Sequence, residues 1–172
     1  AVTCTFGNLA AYAQTNIKRL LAYSTIAHAG YMMMAIPAAI MLAGTDPASG
    51  RAAIGALALY LAIYLFMNLG AFAVVAFLRN EMGSEEIDDY AGLIRRCPGV
   101  VVCLSAMLFS LVGLPPLAGF LGKFAIFAAL VDGYRATGAA GTFLMVLLVV
   151  GGINTALSLF YYLRVVKVMT ID

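Results

Sequence analysis

Apolar residues run through the chain in long blocks that no charge interrupts, at 20–45, 52–78, 97–122 and 136–163. A helix needs ~20 mostly apolar residues to cross ~30 Å of hydrocarbon. The period-2 alternation of a membrane barrel strand is absent. Inside a bilayer every backbone N–H and C=O must be satisfied internally, so uninterrupted apolar runs of this length are helices. The pattern predicts an all-α polytopic membrane protein with transmembrane helices over 20–45, 52–78, 97–131 and 136–163. The third carries a break near 114–118. Residues 1–13 are uncharged but too short to cross, and read as the end of a truncated helix. The whole reads as one transmembrane region, a fragment of a larger membrane protein.

Composition narrows the class further. Of 172 residues 64% are hydrophobic and 10% charged, and the mean hydropathy is +1.01. Soluble domains carry about 25% charged residues. Ten Lys+Arg against eight Asp+Glu make no basic stripe, which excludes a nucleic-acid partner. Cys4, Cys97 and Cys103 are odd in number and sit in apolar sequence, unlike a disulfide framework. His28 is the single histidine, so no clustered Cys/His metal site is expected. The run from Tyr31 through Met34 reads as packing filler, since no other soft ligands accompany it.

Charge also assigns sides. Lys18, Arg19, Arg79, Arg95, Arg96, Arg164 and Lys167 fall in segments on one side, seven in all, against Arg51 and Arg135 on the other. Lys/Arg bias marks the cytoplasmic face. The polar stretch 79–96 is then a cytoplasmic loop. Its acids come first and its arginines last, which suits a short interfacial helix. It reads as a solvated connector. A bacterial inner membrane is the expected location.

Lys123 belongs to neither side. The 35 residues 97–131 would make a straight helix ~52 Å long, well over the hydrocarbon thickness. Pro115 and Pro116 remove two backbone donors and disfavour helix before them. The helix is therefore expected to be discontinuous, with Lys123 ~12 Å inside the end at Val131. A lysine at that depth costs at least ~2.5–3.5 kcal/mol on insertion scales. It is either a proton-carrying group or a charge that snorkels or pairs with a neighbouring carboxylate; depth and the adjacent break favour the first.

Other polar positions are weaker. Ser24, His28 and Tyr31 are spaced i, i+4, i+7 and share a helical face. Histidine titrates near neutral pH, which makes His28 a candidate relay, although a buried imidazole also serves as a helix–helix hydrogen-bonding group. Asn68, Ser105, Ser110, Asn154 and Ser158 fall within the apolar runs, and packing suits each taken singly. Ser24, Tyr31, Asn154 and Ser158 are candidates for lining a water path.

Two segments carry a resemblance, AQTNIKRLLAYSTIAHAGY at 13–31 and SLVGLPPLAGFLGKF at 110–124. With IDDYAGL at 87–93 and YYLRVVKVM at 161–169, they resemble the antiporter-like membrane subunits of respiratory complex I, NADH:quinone oxidoreductase. More narrowly, they resemble the N-type subunit, called subunit 2 in mitochondria. The M-type carries Glu where Lys123 stands. The likeness implies an antiporter-like inverted-repeat helix bundle with a discontinuous helix, of which this chain is the C-terminal portion. It also implies proton translocation through Lys123 and His28 on a hydrated central axis, coupled to electron transfer from NADH to quinone elsewhere. Lys18 matches a cytoplasmic loop residue. The first-repeat glutamate and two other central lysines of the family lie outside this chain.

The resemblance implies no cofactor and no catalytic redox residue in this chain. NADH, flavin, iron–sulfur clusters and quinone are expected on other subunits, and the partners are other membrane-arm subunits and the lipid bilayer. Two alternatives remain open. One is a stand-alone cation/proton antiporter or hydrogenase-type membrane subunit, and the other a structural spacer in which Lys123 is merely paired.

Overall fold

Two helix starts in this protein are set by capping side chains, not by the first residue of the apolar run. A computed structural model describes residues 1–171. Helix α1 spans Val2–Tyr12, α2 Ile17–Thr45 and α3 Pro47–Met82. The Asn16 side chain accepts from the Arg19 N–H at 3.0 Å, so α2 begins before Lys18 and takes both basic residues into its first turn. Asp46 accepts from the N–H groups of Ala48 and Ser49 at 3.1 and 2.9 Å, with Pro47 opening α3. Each arrangement satisfies amides that a helix start leaves without partners.

After α3 come a 3₁₀ turn over Ile87–Tyr90, the one-turn α4 over Leu93–Arg96, and α5 over Pro98–Val112. The stretch 79–96 thus contains two short pieces, not the single short helix expected, because Gly92 adopts a positive φ of 63° between them. Helix α6 spans Ala118–Thr137, and a 3₁₀ turn over Gly138–Gly141 leads to α7, Thr142–Thr170. Residues 136 and 137, assigned from sequence to the last apolar run, belong to α6. That lengthening leaves Lys123 ~21 Å from the end of its helix, not ~12 Å. Three described helical stretches are long and apolar enough to cross a membrane: Ile17–Thr45, Pro47–Met82, and Ala118–Thr170 counted through its turn.

Helices α5 and α6 form one interrupted traverse. Met107 lies against Gly70, Ser110 reaches Met67, Tyr60 lies against Gly122, and Ala53 shares a cleft with Ala129. Positions thus fall along α3 as they rise along α5 and α6, so the pair runs antiparallel to α3 from end to end. Alone, the 15 residues of α5 reach only ~22 Å. Helix α2 packs on α3 and α6, while α1 and α7 close the other side.

The basic segments meet at one end of the bundle. The Ile17 N–H donates to Glu85 O and the Ile87 N–H to Thr15 O, both at 2.9 Å. Arg164 donates to the carbonyls of Tyr12 and Gln14. Glu85 lies between Lys18 at 3.5 Å and Arg79 at 3.1 Å. The Asn16 amide bonding it, with Lys18 and Arg79 alongside, holds its carboxyl below the ordinary value of 4.5. A depressed carboxylate adds stability above its unfolded pKa and loses it as pH falls through the folded one. The loop is therefore expected to become protease-sensitive only below about pH 4.5. Glu85→Gln should be more readily cleaved at pH 7 and lose that acid dependence, as limited proteolysis of membranes would record.

Candidate functional site

The interruption between α5 and α6 creates two carbonyls without partners. Gly113 adopts a left-handed φ of 88° and ends α5. Its N–H donates to Phe109 O and Ser110 O at 3.1 and 3.0 Å, and the Leu114 N–H to Phe109 O at 3.2 Å. The next carbonyls are those of Leu111 and Val112. In a continuing helix they would accept from the residues four positions on, which are Pro115 and Pro116, and proline has no N–H.

Lys123 takes both acceptors. Its Nζ donates to Leu111 O at 3.1 Å and to Val112 O at 2.8 Å. It also sits over the ring of Tyr31, 4.6 Å from the centroid. The side chain is 4% exposed, and among the described residues no carboxylate pairs with it. Two carbonyls, the negative end of α5 and an aromatic face all favour an ammonium.

Ser110 builds the joint. Its Oγ accepts from the Gly119 N–H at 3.1 Å, serving the start of α6, and donates to Met67 Sδ at 3.4 Å. Packing was the reading from sequence; the hydroxyl in fact caps a helix that has no cap of its own at Leu117.

His28 is 2% exposed and faces α3, its Nδ1 2.6 Å from the Tyr60 hydroxyl. Its ring centroid is 6.0 Å from those of Tyr31 and Tyr60 and 5.0 Å from that of Tyr64. Tyr31 thus stands beside both Lys123 and His28, while its hydroxyl donates to Gly151 O at 3.4 Å and pairs with Thr155 Oγ1 at 3.1 Å.

The other candidate path residues each have hydrogen-bond partners. Ser24 hydrogen-bonds the Tyr162 hydroxyl. Asn154 donates to Thr5 Oγ1 at 3.0 Å and accepts from Asn8 Nδ2 at 3.0 Å, and Tyr161 donates to Asn8 Oδ1 at 2.9 Å. Ser158 donates to Thr155 O within α7 at 2.7 Å. Asn154 therefore takes part in a network with Thr5, Asn8 and Tyr161 that ties α1 to α7. Sequence reasoning missed Asn8, Tyr161 and Tyr60. The readable signal for Tyr60 was its spacing from Tyr64, four residues apart in a charge-free run and so on one helical face.

Comparison with known proteins agrees with this architecture. The family described as NADH:quinone oxidoreductase/Mrp antiporter, TM, matches residues 1–162. The chain is 46% identical over 172 residues to NADH-quinone oxidoreductase subunit N of Anaeromyxobacter sp. (strain Fw109-5), covering 100% of this chain and 31% of that protein. It is 43% identical over 170 residues to NAD(P)H-quinone oxidoreductase subunit 2 of Synechococcus sp. (strain JA-3-3Ab), covering 99% and 29%. Among solved structures, respiratory complex I from Thermus thermophilus with bound aureothin matches with a TM-score of 0.73 and 36% identity, over 99% of this chain and 34% of the matched one. The chain thus spans about a third of the length of the curated relatives it matches. A match over residues 1–162, with an interrupted helix and an antiporter-like bundle, means that the chain belongs to the NADH:quinone oxidoreductase/Mrp antiporter transmembrane family.

Proposed function

We propose that the chain acts within a proton-translocating membrane subunit of an NADH:quinone oxidoreductase, multi-pass in a bacterial inner membrane. The observation that carries this reading is a buried lysine held at a helix break, with no carboxylate paired to it among the described residues. Lys123 would load a proton when its surroundings favour the ammonium and release it when they do not. His28, close to Tyr31 and engaged by Tyr60, would pass the proton along. The carbonyl cage offers acceptors to the charged form and none of the donors that a neutral amine could accept from. Small movements of α5 against α6 would therefore change how well the proton is held. Redox energy released on other subunits, which would carry NADH, flavin, iron–sulfur clusters and quinone, would drive those movements. The positive charge at one end of the bundle supports a cytoplasmic assignment for that end.

The test separates this from antiport or hydrogenase-type service. The full-length protein, affinity-tagged in its native membrane, should co-purify with NADH:quinone oxidoreductase activity. Vesicles holding it should acidify on addition of NADH. Proton movement driven by an imposed sodium gradient without NADH, or by hydrogen in place of NADH, contradicts the assignment.

A further inference from the structure

We infer that Tyr60 is a positioning residue of the proton path, holding His28 at Nδ1 through both of its protonation states. The inference rests on the function proposed above for His28 and Lys123. Tyr60 is fully buried, and its hydroxyl lies 2.6 Å from His28 Nδ1. A neutral imidazole with a bare Nδ1 needs a donor there, whereas an imidazolium needs an acceptor. A phenol supplies either by turning its O–H, without moving a heavy atom. In the other neutral tautomer the Nδ1–H donates to the phenol oxygen before and after protonation, and Nε2 is then the nitrogen that takes and gives the proton. A carboxylate in the same place would favour the imidazolium and work against release.

Packing ties the same residue to Lys123. A methyl group at position 122 would strike the Tyr60 ring, so that ring lies directly on the α6 backbone beside Lys123. Tyr60 therefore sets the distance between α3, which carries it, and the two helices that carry His28 and Lys123. The titratable side chains around His28 are Tyr31 on α2, Tyr60 and Tyr64 on α3 and Lys123 on α6. Cys4 of α1 lies against Gly30, and Tyr162 of α7 against Ser24.

The experiment is a double-mutant cycle in the full-length protein within its complex, read as pH gradient formed per NADH oxidised. Tyr60→Phe keeps the ring and removes one oxygen. Loss of one hydrogen bond should lower pumping about two- to tenfold and displace the pH of half-maximal pumping by about half a unit. In a His28→Leu background the same change should cost nothing further. Equal loss in both backgrounds, or an unchanged pH profile, overturns the inference. If Tyr60→Phe assembles poorly, 3,5-difluorotyrosine at position 60 keeps the shape and acidifies the O–H. It should displace the profile, and a silent substitution counts against the role. Lys123→Ala is measured alongside. If it fails to pump while the Tyr60 variants behave as wild type, only the inference falls. If it pumps normally, the proton path falls with it.

Discussion

Gly119→Ala is expected to cut the amount of assembled protein by at least about tenfold, although it adds a single methyl group. A Cβ at this position would run into the backbone carbonyl oxygen of Ser110 and lie 3.2 Å from its hydroxyl oxygen. The obstacle is backbone on both sides, since the last turn of α5 and the first turn of α6 touch there. Relief requires the two helices to part. Parting would break the Ser110 cap on the Gly119 N–H and the two carbonyl contacts of Lys123. Overpacking costs about 1–3 kcal/mol, and a lost cap adds about 1 kcal/mol. Gly55→Ala is the control, because nothing lies within 4 Å of a Cβ there. Immunoblots of detergent extracts should show Gly55→Ala at wild-type levels and Gly119→Ala nearly absent. Equal levels would show that the joint has slack.

Lys123→Ala should assemble and yet lose at least about nine-tenths of its pumping. Removing the side chain leaves the Leu111 and Val112 carbonyls without a donor, at about 1–3 kcal/mol each in a dry site. It also removes an ammonium whose own burial costs at least ~2.5–3.5 kcal/mol, so the changes largely offset. Water entering the vacated space would serve the carbonyls further. Lys123→Arg separates charge from proton exchange. A guanidinium can occupy the same carbonyls but does not release its proton at any physiological pH. Pumping lost in both variants identifies proton release as the required property; pumping kept in Lys123→Arg would make Lys123 a fixed charge.

How far the sequence carries this account depends on what each residue type reveals. The break was readable because two adjacent prolines cannot continue a helix and a lysine followed them. Its limits were placed near 114–118, whereas α5 ends at Val112 because Gly113 turns left-handed first. Knowing that the two prolines stand four residues after Leu111 and Val112 would have identified the carbonyls that Lys123 finds. Which apolar face turns inward was not readable. Phe66 is 76% exposed and its neighbour Met67 4%, yet both are apolar, since lipid-facing and core positions favour the same side chains. Polar residues marked the interior better. Ser24, His28 and Tyr31 are all buried, but Ser24 and Tyr31 face α7 while His28 faces α3, a division that spacing along one helix does not reveal.

On the function proposed above, Lys123, held at the break by two orphaned carbonyls, carries the translocated proton. The most direct measurement places Lys123→Ala in the full-length protein, assembled in its complex in sealed membrane vesicles. NADH oxidation and pH-gradient formation are recorded together on one preparation. The expected result is an assembled complex that oxidises NADH but acidifies the vesicles far less per NADH than wild type does. Wild-type values for both would contradict it and leave Lys123 a structural charge.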